Sequence, residues 1–130
     1  MKKLFAVALM GMGLSAGAQE LDGKAVFGKN CAACHQAAGT GIPGAFPALK
    51  GNHFVQGEAD AVIITVLKGR GGMPTFAESL NDAELSAALS YIRTGWGNKG
   101  GAVSADQVNA VRNQSNAAQV ITREQPTNVH

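Results

Sequence analysis

The chain has 130 residues, 45% of them hydrophobic, with 11 Lys+Arg against 9 Asp+Glu. That length fits one domain, and a formal charge of +2 gives no warrant for binding nucleic acid. One Trp, one Tyr and five Phe are modest material for a core, so an apolar partner at the centre of the fold is physically reasonable.

The first stretch reads as an export leader. Lys2 and Lys3 precede an apolar run from Leu4 to Leu14, and Ala16-Gly17-Ala18 forms a small-residue cleavage site. The run is too short to cross a bilayer comfortably. Cleavage after Ala18 leaves residues 19–130; an uncleaved anchor is the alternative. Without Lys2 and Lys3 the 11 basic residues become nine, equal to the nine acidic ones. The expected location is periplasmic or otherwise extracytoplasmic, with no stable membrane insertion.

Asp22 can cap a helix running from Gly23 to about Cys31 or Cys34. Phe27 stands one turn before Cys31 on the same face, and Gly23 one turn before Phe27. A glycine there costs helix propensity, which suggests close approach of another helix. Cys31-Ala32-Ala33-Cys34-His35 follows, and these are the only two cysteines. The spacing C-x-x-C-H is that of c-type haem attachment, with two thioether bonds and His35 held against the iron. A disulfide would close a tiny loop and stabilise little. A redox dithiol of the thioredoxin type needs a βαβ context. Zinc would need further ligands, and only His53 and His130 remain.

Residues 36–57 are rich in Gly and Pro and read as irregular loop, with Ile42, Phe46, Leu49 and Phe54 spaced as a lining. Helical periodicity returns over Glu58–Lys68, where Val62, Ile63, Val66 and Leu67 form a stripe. Gly69, Gly71 and Gly72 end it and lead into Met73-Pro74. Asn81 with Glu84 is a capping-box pair opening a helix over Asp82–Thr94, with Leu85, Ala88, Leu89 and Ile92 buried. Gly95 stops it. Ser104 with Gln107 starts a short helix carrying Val108 and Val111, and a polar, mobile tail is expected beyond Asn113. The organisation is a leader (1–18), a core domain (19–98) and a C-terminal extension (99–130).

An iron held by His35 has one open position. Met73, beside Pro74, is the sole methionine of residues 19–130, and its soft neutral thioether would raise the potential and close the iron to oxygen. His53 and His130 are competitors for that position, and core filling is the ordinary alternative for Met73. The other ring N–H of an axial histidine needs an acceptor. A carbonyl in the 43–49 loop is the natural one, with Pro47 ahead of Pro43.

Gly23, Phe27, the haem motif, Pro47-Ala48-Leu49-Lys50-Gly51, Met73-Pro74 and the Leu85–Tyr91 helix together resemble a class I c-type cytochrome over about Leu21 to Asn98. The resemblance implies an all-α fold, three to five helices wrapped around one covalent haem c, with the first and last helices crossing. It implies His35 and Met73 as iron ligands, the Pro47 carbonyl as acceptor from His35, and Leu49 packed on the haem. The stretches Gly39–Pro47 and Tyr91–Asn98 resemble bacterial soluble cytochromes that donate to haem-copper oxidases, and cytochrome subunits of quinoprotein dehydrogenases. The implied role is a monomeric one-electron carrier with no catalytic residues of its own. Its partners would be a cytochrome c oxidase, a bc-type complex or a dehydrogenase, met through a small transient interface. Rival readings are a fixed subunit of such a complex and a peroxidase, for which His53 is the sole distal candidate.

Overall fold

The computed structural model describes residues 20–124; residues 1–19, which include the leader, and 125–130, which include His130, lie outside them. Among the described residues there are six helical segments and no strand beyond two isolated bridges. Four helices have eight residues or more: α1 (Gly23–Asn30), α4 (Ala59–Lys68), α5 (Asp82–Thr94) and α6 (Ala105–Glu124). The others, α2 (Ala32–His35) and α3 (His53–Gln56), are single turns. The fold is all-α, as the sequence implies.

Asp22 caps α1 by accepting from the Lys24 amide at 3.0 Å. Cys31 interrupts the helix, yet its amide still donates to Phe27 O at 2.8 Å and its carbonyl accepts from His35 N at 3.0 Å. The chain therefore coils almost without a break from Gly23 to His35. α1 lies across α5, and Gly23 sits at the crossing. A Cβ added there would come within 2.1 Å of Ala87 O and 3.0 Å of Tyr91 Cβ. Only glycine allows the two backbones to come this close. One turn on, Phe27 is buried against Tyr91 and Trp96, the three rings meeting with centroids 5.3–5.4 Å apart. Tilted and edge-on pairs of this kind add to the burial of the rings themselves.

The capping box of α5 forms in full, with Glu84 N on Asn81 Oδ1 at 2.9 Å and Asn81 N on Glu84 Oε2 at 3.0 Å. Leu85, Ala88, Leu89 and Ile92 are buried, as their spacing predicts. α4 closes the other side of the core with Val62, Ile63 and Leu67.

Two elements differ from expectation. A turn of helix, α3, interrupts the 36–57 loop because Asn52 accepts from both Phe54 N and Val55 N. The extension helix is not short: α6 has 20 residues and continues to Glu124. Val103, Val108 and Val111 are buried in the common core with α4 and α5, which anchors the first half. Ala, Gln and Arg in the second half are good helix formers, so the helix propagates past Asn113 with its side chains in water. A polar composition was compatible with helix once a docked nucleus existed.

Candidate functional site

Cys31, Cys34 and His35 share one helical turn, at spacings of three and four residues that put them on neighbouring surface positions. Both cysteines are free and half-buried. Burial, with the neighbouring Cys34 adding to it, pushes the Cys31 thiol up to about 11. An attacking thiolate of the oxidoreductase kind needs the opposite shift. Cys31 is therefore poorly suited to be that attacking thiolate.

His35 is 9% exposed. Its Nδ1 lies 2.8 Å from Pro47 O. A carbonyl can only accept, so Nδ1 carries a proton, and in the neutral ring Nε2 is the nitrogen left with a lone pair. That is the tautomer a metal-ligating histidine needs, with the far nitrogen anchored and the near one basic. Pro43 makes no such contact, so of the two prolines it is Pro47 whose carbonyl faces the ring.

The loop reaches this geometry through tight backbone turns. Gly41 N donates to His35 O at 2.9 Å, and Ile42 and Phe46 exchange both backbone bonds at 2.8–2.9 Å. Gly41 has φ +63°, and a Cβ on it would lie 2.5–2.6 Å from Phe46 O, Pro47 C and Ala48 N. Glycine is required there for Pro47 to pass beside the histidine turn. Gly39 O accepts from both Leu49 N and Lys50 N, at 2.8 and 2.9 Å, which closes the loop at its base. Leu49 is partly buried and packs on the core.

Met73 belongs to a separate set of contacts. It is half-buried, and its amide donates to Arg70 O at 3.0 Å. The segment that follows lies along the last turns of α4: Thr75 Oγ1 donates to Leu67 O, and Phe76 N to Val66 O at 3.1 Å. The Arg70 guanidinium lies over the Phe54 ring at 5.8 Å. His53, the rival ligand, is exposed at the start of α3.

The donor set suits a c-type haem. It comprises two free thiols and an anchored imidazole in one turn, together with Ile42, Phe46, Phe54 and Ile64, which the polypeptide leaves about 40% exposed. Two buried polar side chains escaped the sequence reading. Arg93, 4% exposed, falls four residues after Leu89 on the apolar stripe of α5. Its guanidinium donates to the carbonyls of Val55, Gly57, Gly100 and Gly101, so the buried charge is met by backbone dipoles alone. The stripe itself was a signal that position 93 faces inward. Asn98, 6% exposed, had no such signal.

Residues 18–92 match the family described as cytochrome c oxidase, cbb3-type, subunit III. The chain is also similar to the cytochrome c subunit of an alcohol dehydrogenase (quinone) from Gluconobacter oxydans, 33% identical over 112 residues, covering 76% of this chain but 23% of that subunit. Cytochrome c-552 of Thermus thermophilus is 37% identical over 95 residues, which is 60% of this chain and 70% of that protein. Cytochrome c6 of Microcystis aeruginosa is 32% identical over 74 residues, 55% of this chain and 90% of that protein. The chain thus spans under a quarter of the dehydrogenase subunit it matches and most of the two small cytochromes.

Proposed function

This chain belongs to the c-type cytochrome family described as cytochrome c oxidase, cbb3-type, subunit III, and is an electron-transfer protein with one covalent haem c; we propose that it works as a soluble periplasmic carrier between respiratory donors and a terminal oxidase. In this reading Cys31 and Cys34 would carry the two thioether bonds, His35 Nε2 and the Met73 thioether would ligate the iron, and Leu49 would pack on the ring. When bound, the haem supplies reversible one-electron chemistry at iron. The chain's own part is to keep the ligands the same in both oxidation states. His35 does so by donating its Nδ1–H to the Pro47 carbonyl oxygen, which sets the ring orientation and the basicity of Nε2. Met73 does so by filling the remaining position with a neutral ligand. The exposed apolar residues of the 42–64 stretch exclude water from the ring.

The observation that carries this reading is the 2.8 Å contact between His35 Nδ1 and Pro47 O, which leaves Nε2 as the ring nitrogen free to ligate. Among the described residues no helix is long and apolar enough to cross a membrane. An optical spectrum of the ferric holoprotein beside that of Met73→Ala tests the ligand set. The sulfur-to-iron charge-transfer band is expected in the wild type and absent in the variant. An unchanged spectrum would mean that another group holds the sixth position.

A second reading, a fixed cytochrome subunit of a dehydrogenase, is favoured by one observation. The match to the alcohol dehydrogenase subunit covers 76% of this chain, more than the residues from 18 to 92 that match the family. Sizing of the native protein separates the two. A free monomer supports the carrier, and steady co-elution with a dehydrogenase supports the subunit.

A further inference from the structure

We propose that Asn98 is a positioning residue for the axial-histidine acceptor: it pins the Leu49–Gly51 stretch to the end of α5 and so keeps the Pro47 carbonyl on His35. The inference rests on the reading of His35 as an iron ligand.

Asn98 lies beyond residues 18–92, the span that matches the family. Its side chain is buried and nearly all of its hydrogen-bonding capacity is used. Oδ1 accepts from Gly51 N at 2.8 Å. Nδ2 donates to Leu49 O at 3.0 Å and to Ile92 O at 2.9 Å. One amide thus joins a free carbonyl in the last turn of α5 to both ends of a three-residue stretch some 49 residues away in sequence. That stretch is in turn bonded to Gly39 O through Leu49 N and Lys50 N, and Pro47 stands two residues before it. Two residues before Asn98, Trp96 adopts φ +53° and lays its ring on Gly39, 2.7 Å from where a Cβ would stand. A left-handed backbone at a bulky residue is strained, and it persists here where it brings Trp96 and Asn98 onto the same loop from two sides. Capping of α5 would require only the bond to Ile92 O. The two bonds to Leu49 and Gly51 reach past the helix to the loop that faces His35.

The test is proton NMR of the ferrous holoprotein, reading solvent exchange of the His35 Nδ1 proton, with reduction potential measured alongside. In Asn98→Ala three hydrogen bonds are lost, and the proton is expected to exchange at least about tenfold faster, while the amides at the α1–α5 crossing keep their rates. The potential is expected to rise, because a loosened acceptor leaves the imidazole a poorer donor to ferric iron. An unchanged exchange rate would overturn the proposal, and so would an equal acceleration at the α1–α5 crossing, which would mark Asn98 as merely structural. Should the variant yield no holoprotein, native-state exchange of the wild type decides. The His35 proton and the Leu49 and Gly51 amides are expected to share one opening event, and a separate, easier opening for the histidine proton would overturn the proposal. A wild type with no protected Nδ1 proton at all would instead sink the ligand assignment of His35, a result distinct from rapid exchange in the variant alone.

Discussion

The segment that carries His35 is pinned by partners far away in sequence, whereas the segment that carries Met73 is pinned by its neighbours. On the histidine side Pro47 O meets the ring across 12 residues, and Asn98 holds the loop across 47 and 49. On the methionine side Met73 bonds Arg70, and Thr75 and Phe76 bond the final turns of α4, the longest of these three spanning ten residues, while the longer reaches, Arg70 over Phe54 and Arg112 to Ala77, attach at the flanks of the segment. The histidine side can therefore open only when loop, α1 and α5 part together. The methionine side can lift from α4 with little else disturbed. Local openings of this kind draw on the least stable contacts of a fold. Ligand exchange at the iron is thus expected to begin with the sulfur and leave the imidazole in place.

The sharpest way to break this asymmetry is to cut the tether on the histidine side. Cys31→Ser with Cys34→Ser is expected to abolish covalent haem entirely, so that acid–acetone extraction removes all Soret absorbance from the polypeptide. Met73→Ala should keep all of it. Next in size is a matched pair of glycines. Gly41 and Gly71 both have positive φ, +63° and +58°, but a Cβ at Gly41 meets backbone at 2.5 Å while one at Gly71 meets nothing within 4 Å. Left-handed strain alone costs about 1–2 kcal/mol for an alanine. Gly71→Ala should lose about that much in denaturant unfolding. Gly41→Ala must also move the Phe46–Ala48 backbone and should lose about 3 kcal/mol or more, at the upper end of single substitutions. Equal losses in the two variants would mean that the histidine loop yields as easily as the methionine loop.

The parts of this arrangement that are local in sequence were legible before the structure. The haem motif is contiguous, the Asn81–Glu84 box closes within one turn, and Gly23 with Phe27 follows helical spacing. The 43–49 loop offers Pro47 ahead of Pro43 as the acceptor and the resemblance implies the same residue, while the 2.8 Å contact comes from the structure. What escaped is non-local. Arg93 reaches carbonyls 36 and 38 residues away, and Asn98 reaches Leu49 and Gly51, and no periodicity encodes a side chain that bonds a distant backbone. The length of α6 escaped for a related reason. Its polar second half carries no apolar stripe, and its persistence depends on the docking of Val103, Val108 and Val111.

The smallest expected effect serves as a control, because the Asp82 side chain bonds residues of α6 rather than either ligand segment. Asp82 Oδ1 meets Arg112 Nε at 2.7 Å, and Asn109 donates to its other oxygen at 2.8 Å, tying α6 to the start of α5. Arg112 also donates to Ala77 O and Leu80 O. The Asn109 hydrogen bond, opposed by partial burial and reinforced by Arg112, holds the Asp82 carboxyl below its ordinary value. A depressed carboxylate stabilises the fold above its unfolded pKa of about 3.9 and loses that contribution as pH falls through the folded value. Asp82→Asn should therefore cost about 0.5–1 kcal/mol at neutral pH, in keeping with a partly exposed pair, and nothing in acid below the carboxylate range. Melting curves of wild type and variant should converge there. The His35–Pro47 contact involves no carboxylate, so the charge-transfer band and potential of Asp82→Asn are expected to match the wild type at pH 7. A shift in either would mean that the extension helix is coupled to the ligand segments through the α5 core, and the division between the two sides would have to be redrawn around α5.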